Sequence, residues 1–470
     1  MQPFLSLPRS LQWTVGVLIL LLAAGLSRFL FVPFVDNGFD FQAFYCGGSV
    51  VAEHANPYLD QPLHGCETRA APEIARKFRN VTVPAPLPPY ALAFFIPLSL
   101  LPFAVAKIVW WLVLVASIGV CGWTVAKLTG WAMLTAFAAS AAAIGATSLP
   151  QAGLPPAPIA LLFLSAYFVS RRRWTPAALC SALAMIEPHV ALPAAIALFL
   201  FVPELRGRLL LAGAALAALA LAVSGPQTTL YYFTTLLPLH AASEVRSQSQ
   251  FSLTTILYHL GASAPLAVRI GTAQYAVTIA FGVWLGWRLA RRFDERAFLV
   301  AAPAACAVAG GSFIHLSEIG VAVLLACMLA ARMNGHRAWL AVVLLAVPWE
   351  QFSNWATFSA LAPICVILLV WPRWKPLPIL LMLGSIVLLM YFVGMHLYEV
   401  ASLSTTLTAS SHIAAAAPNA PVDVSWQAYN DTSTTFPALW VDKSITFFGI
   451  GLLLFSAARA TKRATAVQLA

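Results

Sequence analysis

Long apolar runs recur along almost the whole chain, and this feature constrains the fold more than any other. Many of these runs are long enough to cross a bilayer, which takes roughly 20 helical residues. Of the 470 residues, 60% are hydrophobic and only 9% are charged, whereas a soluble domain carries about a quarter charged residues. A chain with so few charges cannot build a water-soluble surface. The sequence therefore predicts an all-α polytopic membrane protein whose residues 1–470 form one transmembrane domain.

The basic residues lie in short clusters between the apolar runs. These clusters are Arg171–Arg173, Arg206 with Arg208, Arg288–Arg296, Arg332 with Arg337, Arg373 with Lys375, and Arg459–Arg463. The positive-inside rule places such clusters in the cytoplasm. One topology with about 14 spans and both termini in the cytoplasm satisfies all of them. The formal net charge of +10 therefore reflects membrane orientation, and we predict no nucleic-acid partner.

The acidic residues divide the other way. Under this topology only Glu204, Asp294 and Glu295 fall inside, and the other acids fall outside or at outer ends of spans. Ionisable groups at such depths are costly and indicate function. The first apolar run, Leu11–Val32, is followed by no small-residue cleavage site, so it is interpreted as a retained span. We therefore predict a multi-pass protein of the plasma (bacterial inner) membrane with an extracytoplasmic functional surface.

Two outer loops are long, and loops of that length are usually functional or disordered. The first, residues 34–87, contains amphipathic helical patterns around Asp40–Glu53 and Glu67–Phe78. The last, residues 398–437, has the composition of a polar filler, with a substrate-covering element as the alternative. Residues 88–102 are apolar but too short for a span, and counting them as one would place the triple arginine outside. They are predicted to form a re-entrant or interfacial segment.

The stretch that opens the first outer loop carries the clearest chemical signal. It runs through Asp40–Gly48, so its carboxylate follows the first span directly. A carboxylate there can remove the proton of an acceptor hydroxyl as that hydroxyl attacks an anomeric carbon. The same residue type can equally cap the helix that follows it. From the local sequence both roles stay open.

Several short motifs follow one another in the order typical of a known enzyme family. Asp40–Tyr45 has the pattern Asp-Phe-x-x-x-Tyr, Asn56–Tyr58 reads Asn-Pro-Tyr, and Pro88–Tyr90 stands where the family has Pro-Pro-Leu. In this order and spacing the motifs resemble glycosyltransferase family 87 of the GT-C superfamily. The resemblance covers roughly residues 36–260 and recurs weakly at Phe313–Glu318.

The resemblance implies a GT-C type glycosyltransferase bundle with a helical first periplasmic loop. It implies transfer of a mannose or arabinofuranose class sugar from a polyprenyl-phosphate donor to a glycan or glycolipid acceptor, with inversion, beside membrane lipids. It also implies that Asp40 is the catalytic base, and Tyr45 in the same segment is a candidate donor- or acceptor-binding residue. The alternatives are a lipid or sugar transporter and a degenerate relative that binds glycolipid without transferring sugar.

Two departures from the family pattern concern the binding residues. Gln151 is the only residue kept from a Gly-Gln-x-Asn segment, and Glu187 stands where the family often has a lysine. An acid in place of that lysine would repel a donor phosphate. His189 can substitute as a phosphate ligand, or Glu187 can bind acceptor hydroxyls.

The remaining candidates also lie at outer span ends. Arg246 is a candidate clamp for the donor phosphate, with a solvated loop residue as the alternative. His315 and Glu318 are spaced one helical turn apart and can face one cavity, or form a satisfied buried pair. These residues complete the predicted donor- and acceptor-binding set.

Covalent and metal features are sparse in the sequence. Cys46 and Cys66 share the first outer loop, where an oxidising compartment would pair them, with free thiols as the alternative. No cluster has metal-ligand spacing, although Asp40 with a second acid can hold Mg²⁺ or Mn²⁺ through water. A divalent cation is thus the one cofactor left open.

Overall fold

The computed structural model describes residues 38–247, 250–333, 336–346, 410, 412–432 and 437–462. Within these ranges the chain is almost entirely helical and contains no strand. Four helices are long and apolar enough to cross a membrane, namely Phe103–Thr129, Pro203–Glu244, Ala264–Phe293 and Lys443–Thr461. The prediction of an all-α membrane protein is confirmed at this level, and the number of 14 spans stays a prediction. The first span, Leu11–Val32, lies outside the described residues.

The helices follow one another in three groups. The first outer loop forms α1 (Phe39–Ala52), α2 (Asp60–Ala70), α3 (Pro72–Phe78) and α4 (Pro89–Ser99). The bundle continues with α5 (Phe103–Thr129), α6 (Met133–Gly145), α7 (Ala146–Gln151), α8 (Pro156–Ser170), α9 (Trp174–Ile186), α10 (Pro188–Phe201) and α11 (Pro203–Glu244). It ends with α12 (Leu253–His259), α13 (Ala264–Phe293), α14 (Phe298–Gly310), α15 (Ala322–Arg332), α16 (His336–Ala346), α17 (Asp423–Thr432) and α18 (Pro437–Lys462).

Helix α1 lies directly on α4. A Cβ added at Gly48 would stand 2.7 Å from the backbone of Phe95, and one added at Gly47 would stand 2.9 Å from the side chain of Leu92. The glycine pair in the middle of α1 is therefore required by this close approach and not by a turn. The side chain of Leu100, just after α4, is 78% exposed, as an apolar tip at a membrane interface would be. An interfacial role for residues 88–102 stays a prediction.

The described part of the last loop packs on the first loop. The amide of Asp60 donates to the carbonyl of Ala420 at 2.8 Å, and the amide of Val422 donates to the carbonyl of Tyr58 at 3.1 Å. Ser425 adds a side-chain contact, because its Oγ accepts from the amide of Thr82 at 3.1 Å. Residues 412–432 therefore pack on the first loop, and a substrate-covering role for the last loop stays a prediction.

Three of the described basic clusters, around Arg173, Arg208 and Arg296, meet at one end of the bundle, whereas Arg373 and Lys375 lie outside the described residues. The guanidinium of Arg296 stacks on the ring of Trp174 at 5.3 Å, and Arg208 donates to Oγ1 of Thr175 at 3.1 Å. Helix α8 leads from the neighbourhood of Asp40 to Arg171, over 15 residues, or about 22 Å. The basic end and the Asp40 end are therefore opposite ends, as the charge pattern predicted. Which side of the membrane each end faces stays a prediction.

Candidate active site

Asp40 lies in the first turn of α1 with its carboxylate against the loop that joins α7 to α8. A Cβ added at Gly153 would stand 3.0 Å from Oδ2 of Asp40, so any larger residue there would crowd the carboxylate. Position 38, the N-cap of α1, is a glycine with φ 111°, and no side chain caps the helix. Within the described ranges Asp40 has neither a hydrogen-bond partner nor an ion-pair partner, so its carboxylate is available.

The surroundings of Asp40 make it a stronger base. Burial, as the larger cause, and the negative charge of Glu244 raise the pKa of Asp40 to about 7. The side chain nevertheless stays partly exposed. A general base works best when its pKa lies near the working pH, and Asp40 meets this condition.

Glu244 brings together three parts of the chain that are distant in sequence. It ends α11 and is buried. Its Oε2 accepts from Nε2 of Gln250 at 2.8 Å, and its Oε1 accepts from Nε1 of Trp426 at 2.5 Å. His315 approaches it at 3.8 Å between Nε2 and Oε2. Glu244 thus joins the last loop to the site.

His189 and Glu318 form a second pair. Nε2 of His189 lies 3.0 Å from Oε2 of Glu318, and the amide of His315 donates to the same oxygen at 3.4 Å. The hydroxyl of Tyr275 donates to the carbonyl of His189, which fixes the start of α10. His315 and Glu318, predicted to face one cavity or to form a satisfied buried pair, come together through this bond, and the segment that follows His315 is a 3₁₀ helix over Leu316–Val321. A shared cavity stays a prediction.

Glu187 lies beside this pair, and its carboxyl group has no hydrogen-bond or ion-pair partner in the part of the chain that the structure describes. Its side chain is 5% exposed, and its Oε2 is buried with no hydrogen-bond partner. Its charge interacts with those of Glu318 and His189. An unpaired buried carboxylate is costly unless a ligand or a proton satisfies it.

A third pair was not found from the sequence. Nδ1 of His240 lies 2.8 Å from Oδ1 of Asp423, and Ser243 donates to the same oxygen at 3.0 Å. The ring of Phe313 lies between two imidazoles, with centroids 5.5 Å from His240 and 5.2 Å from His189. The only available signal for Asp423 was an acid within a loop otherwise poor in charge.

Two of the predicted binding residues have other partners in the structure. Arg246, the predicted phosphate clamp, lies 2.7 Å from Oδ1 of Asp431 and stacks on Tyr258 at 5.4 Å. It would have to exchange Asp431 for a phosphate. The hydroxyl of Tyr45 donates to the carbonyl of Leu101 at 2.8 Å, so it anchors the segment after α4.

Gln151, Cys46 and Cys66 complete the predicted set. Gln151 is exposed at the end of α7, two residues before the Gly153 that faces Asp40. Cys46 and Cys66 form a disulfide with their Cα atoms 5.6 Å apart, which joins α1 to α2. Among the described residues, no group of three or more His, Cys, Asp or Glu side chains is arranged to hold a metal ion. A need for Mg²⁺ or Mn²⁺ stays a prediction.

Comparison with known proteins finds a family match for the central part of the chain. The family model of glycosyltransferase family 87 matches residues 87–314, which is just under half of the 470 residues. A search of curated proteins and a search of solved structures gave no match. The matched region contains Glu187, His189 and Glu244 but begins after Asp40. The resemblance that the sequence motifs indicated is thus confirmed over residues 87–314, which match glycosyltransferase family 87.

Proposed function

We propose that this membrane glycosyltransferase transfers a sugar from a polyprenyl-phosphate donor to a glycan or glycolipid acceptor at the extracytoplasmic face. The family supports sugar transfer in a membrane. The proposed side follows from the concentration of acids and histidines at the end of the bundle opposite the arginines. The proposed sugar class is mannose or arabinofuranose.

The proposed reaction is a single displacement with Asp40 as general base. The acceptor oxygen attacks the anomeric carbon, the bond between that carbon and the phosphate oxygen breaks, and polyprenyl phosphate leaves. The acceptor proton passes to the carboxylate of Asp40, and the anomeric configuration inverts. One observation carries this assignment: the Asp40 carboxylate has no described partner, and its pKa is raised to about 7.

The leaving phosphate needs cationic or hydrogen-bonding ligands. Lys107 lies beside the N-cap of α1, since its Cδ would stand 3.4 Å from a Cβ added at Gly38. Arg246 is a second candidate if it releases Asp431, whereas His189 is already bonded to Glu318 at 3.0 Å. We propose that Lys107 contacts the departing phosphate, and that Asp40 holds any required divalent cation through water.

The experiment uses purified protein in proteoliposomes with polyprenyl-phosphate-linked radiolabelled mannose and, separately, arabinofuranose. Octyl α-mannoside serves as the acceptor, and the products are separated by chromatography with and without EDTA. We expect a labelled disaccharide glycoside and free polyprenyl phosphate. Label that crosses the membrane while still attached to the donor would support a transporter. Donor that binds but stays intact with either sugar would support a degenerate relative.

A further inference from the structure

We propose that Glu187, with His189 and Phe313, forms a binding subsite for the hydroxyls of a neutral acceptor sugar. The inference deepens the proposed function, on which its assignment to the acceptor rests. It starts from a carboxylate oxygen, Oε2 of Glu187, that is buried without a hydrogen-bond partner among the described residues. Such an oxygen can accept two hydroxyl hydrogens at once, as a vicinal diol offers them.

No described residue bonds Oε2 of this carboxyl group. Glu187 occupies the N-cap position of α10, yet its side chain makes no capping hydrogen bond. The nearest cationic partner, His189, is already bonded to Glu318 at 3.0 Å. Two buried carboxyl groups therefore share one histidine, and burial, followed by the negative charge of Glu318, raises the pKa of Glu187 to about 8. Glu187 thus keeps a proton near neutral pH and has no described partner for it.

The charge of this cluster selects the class of ligand. A polyprenyl phosphate finds no free cation here, because His189 is already paired with Glu318 and Glu187 is an acid. Neutral sugar hydroxyls do fit, because a buried carboxyl group can accept hydrogen bonds from them and donate its own proton to them.

A ligand can also reach the cluster. The side chain of His189 is 22% exposed, so the cluster is open at the histidine. The ring of Phe313, 5.2 Å from that imidazole between centroids, offers an apolar surface for the C–H face of a sugar. The carboxyl group of Glu187 can therefore bind the hydroxyls of a pyranose while the ring of Phe313 packs on its C–H face.

The test measures binding and not turnover. Wild type, Glu187→Gln, Glu187→Ala and the control Glu204→Gln are placed in lipid nanodiscs, which contain no competing glycoside detergent. Glu204 is a matched control because its side chain is exposed in the first turn of α11. Octyl α-mannoside and its 2-, 3- and 4-deoxy analogues are the probes. We expect Glu187→Gln and Glu187→Ala to weaken octyl mannoside binding about tenfold or more, and Glu204→Gln to leave it unchanged.

Two further readouts exclude a merely structural role. Because no described group bonds the Oε2 atom of Glu187, Glu187→Gln should keep or raise the thermal midpoint, whereas loss of a structural contact would lower it. One deoxy analogue should bind the wild type more weakly than octyl α-mannoside does. The same analogue and octyl α-mannoside should bind Glu187→Ala equally well, because the variant lacks the group that the missing hydroxyl would contact. Unchanged binding in both Glu187 variants, a lowered midpoint in Glu187→Gln, or no probe binding to the wild type would each overturn the proposal.

Failure of the subsite proposal can be distinguished from failure of the proposed transferase function. Probe binding that depends on Glu187 in a protein without transfer would leave the subsite intact and refute the transferase. Sugar transfer that does not depend on Glu187 would refute the subsite and leave the transferase function intact.

Discussion

The two ends of the helix bundle carry their charges in opposite ways. At the basic end, Arg171, Arg172 and Arg173 are exposed. At the other end, Glu187 and Glu244 are buried. Exposed arginines cost the folded protein little stability, and they set the orientation of the protein in the membrane. Buried carboxylates close to one another cost stability, which proteins tolerate mainly where function requires it. The contrast supports the proposal that the acidic end carries the chemistry, and each prediction below can break or sharpen this contrast.

The largest effect on stability is expected from His189→Ala. The change leaves Glu187 and Glu318 as neighbouring buried carboxylates without the histidine. We expect the free energy of unfolding to fall by about 3 kcal/mol, as when one partner of a buried pair is removed. Unfolding in detergent with increasing denaturant measures this, and His54→Ala, an exposed histidine, is the control. A loss of unfolding free energy equal to that of His54→Ala would mean that His189 does not stabilise the two buried acids Glu187 and Glu318.

Removal of the disulfide should have an effect of nearly the same size. Cys46 and Cys66 are 20 residues apart, and closing a loop of this length stabilises by about 3 kcal/mol. We expect the double variant Cys46→Ala/Cys66→Ala to lose about this much and to become insensitive to reductant. Cys180→Ala, at a buried free cysteine, should still respond to reductant. Equal reductant sensitivity of the double variant and the wild type would exclude the bond.

Asp40→Asn should lower transfer by roughly 10²-fold, the scale of a lost general base. The amide keeps the shape of the side chain, so insertion and thermal midpoint should be retained. Glu53→Gln, an exposed acid just after the other end of α1, should transfer at the wild-type rate. Wild-type turnover in purified Asp40→Asn would refute the catalytic assignment.

The smallest effect is expected at the basic end. Arg208 is exposed and donates to Thr175, so Arg208→Gln should change the free energy of unfolding by no more than about 0.5 kcal/mol. Transfer should stay within roughly twofold of wild type. A large loss of activity would show that the two ends are not functionally separate.

The sequence predicted the features that depend on local order. Asp40 follows an apolar run, Cys46 and Cys66 share one loop, and the arginine clusters imply a common end. Each of these depends on chain position and composition, which a sequence displays directly. The all-α membrane fold follows from the same kind of pattern.

The pairings inside the site could not be predicted in this way. His240 meets Asp423 across a sequence separation of 183 residues, and Trp426 meets Glu244 across 182 residues. No local pattern encodes such contacts, because they depend on how the last loop folds over the first. Arg246 illustrates the same limit, since its partner Asp431 lies in that loop.

The central claim is that the acidic end tunes Asp40 for proton transfer, and a pH–rate profile of transfer tests it most directly. Because the pKa of Asp40 is raised to about 7, the base is protonated below this pH, and kcat/KM should rise roughly tenfold between pH 6 and 8. Glu244→Gln removes a negative charge that raises this pKa, so the rise should move to lower pH, while Glu204→Gln should leave it in place. A profile without this rise, or one that Glu244→Gln does not shift, would contradict the account.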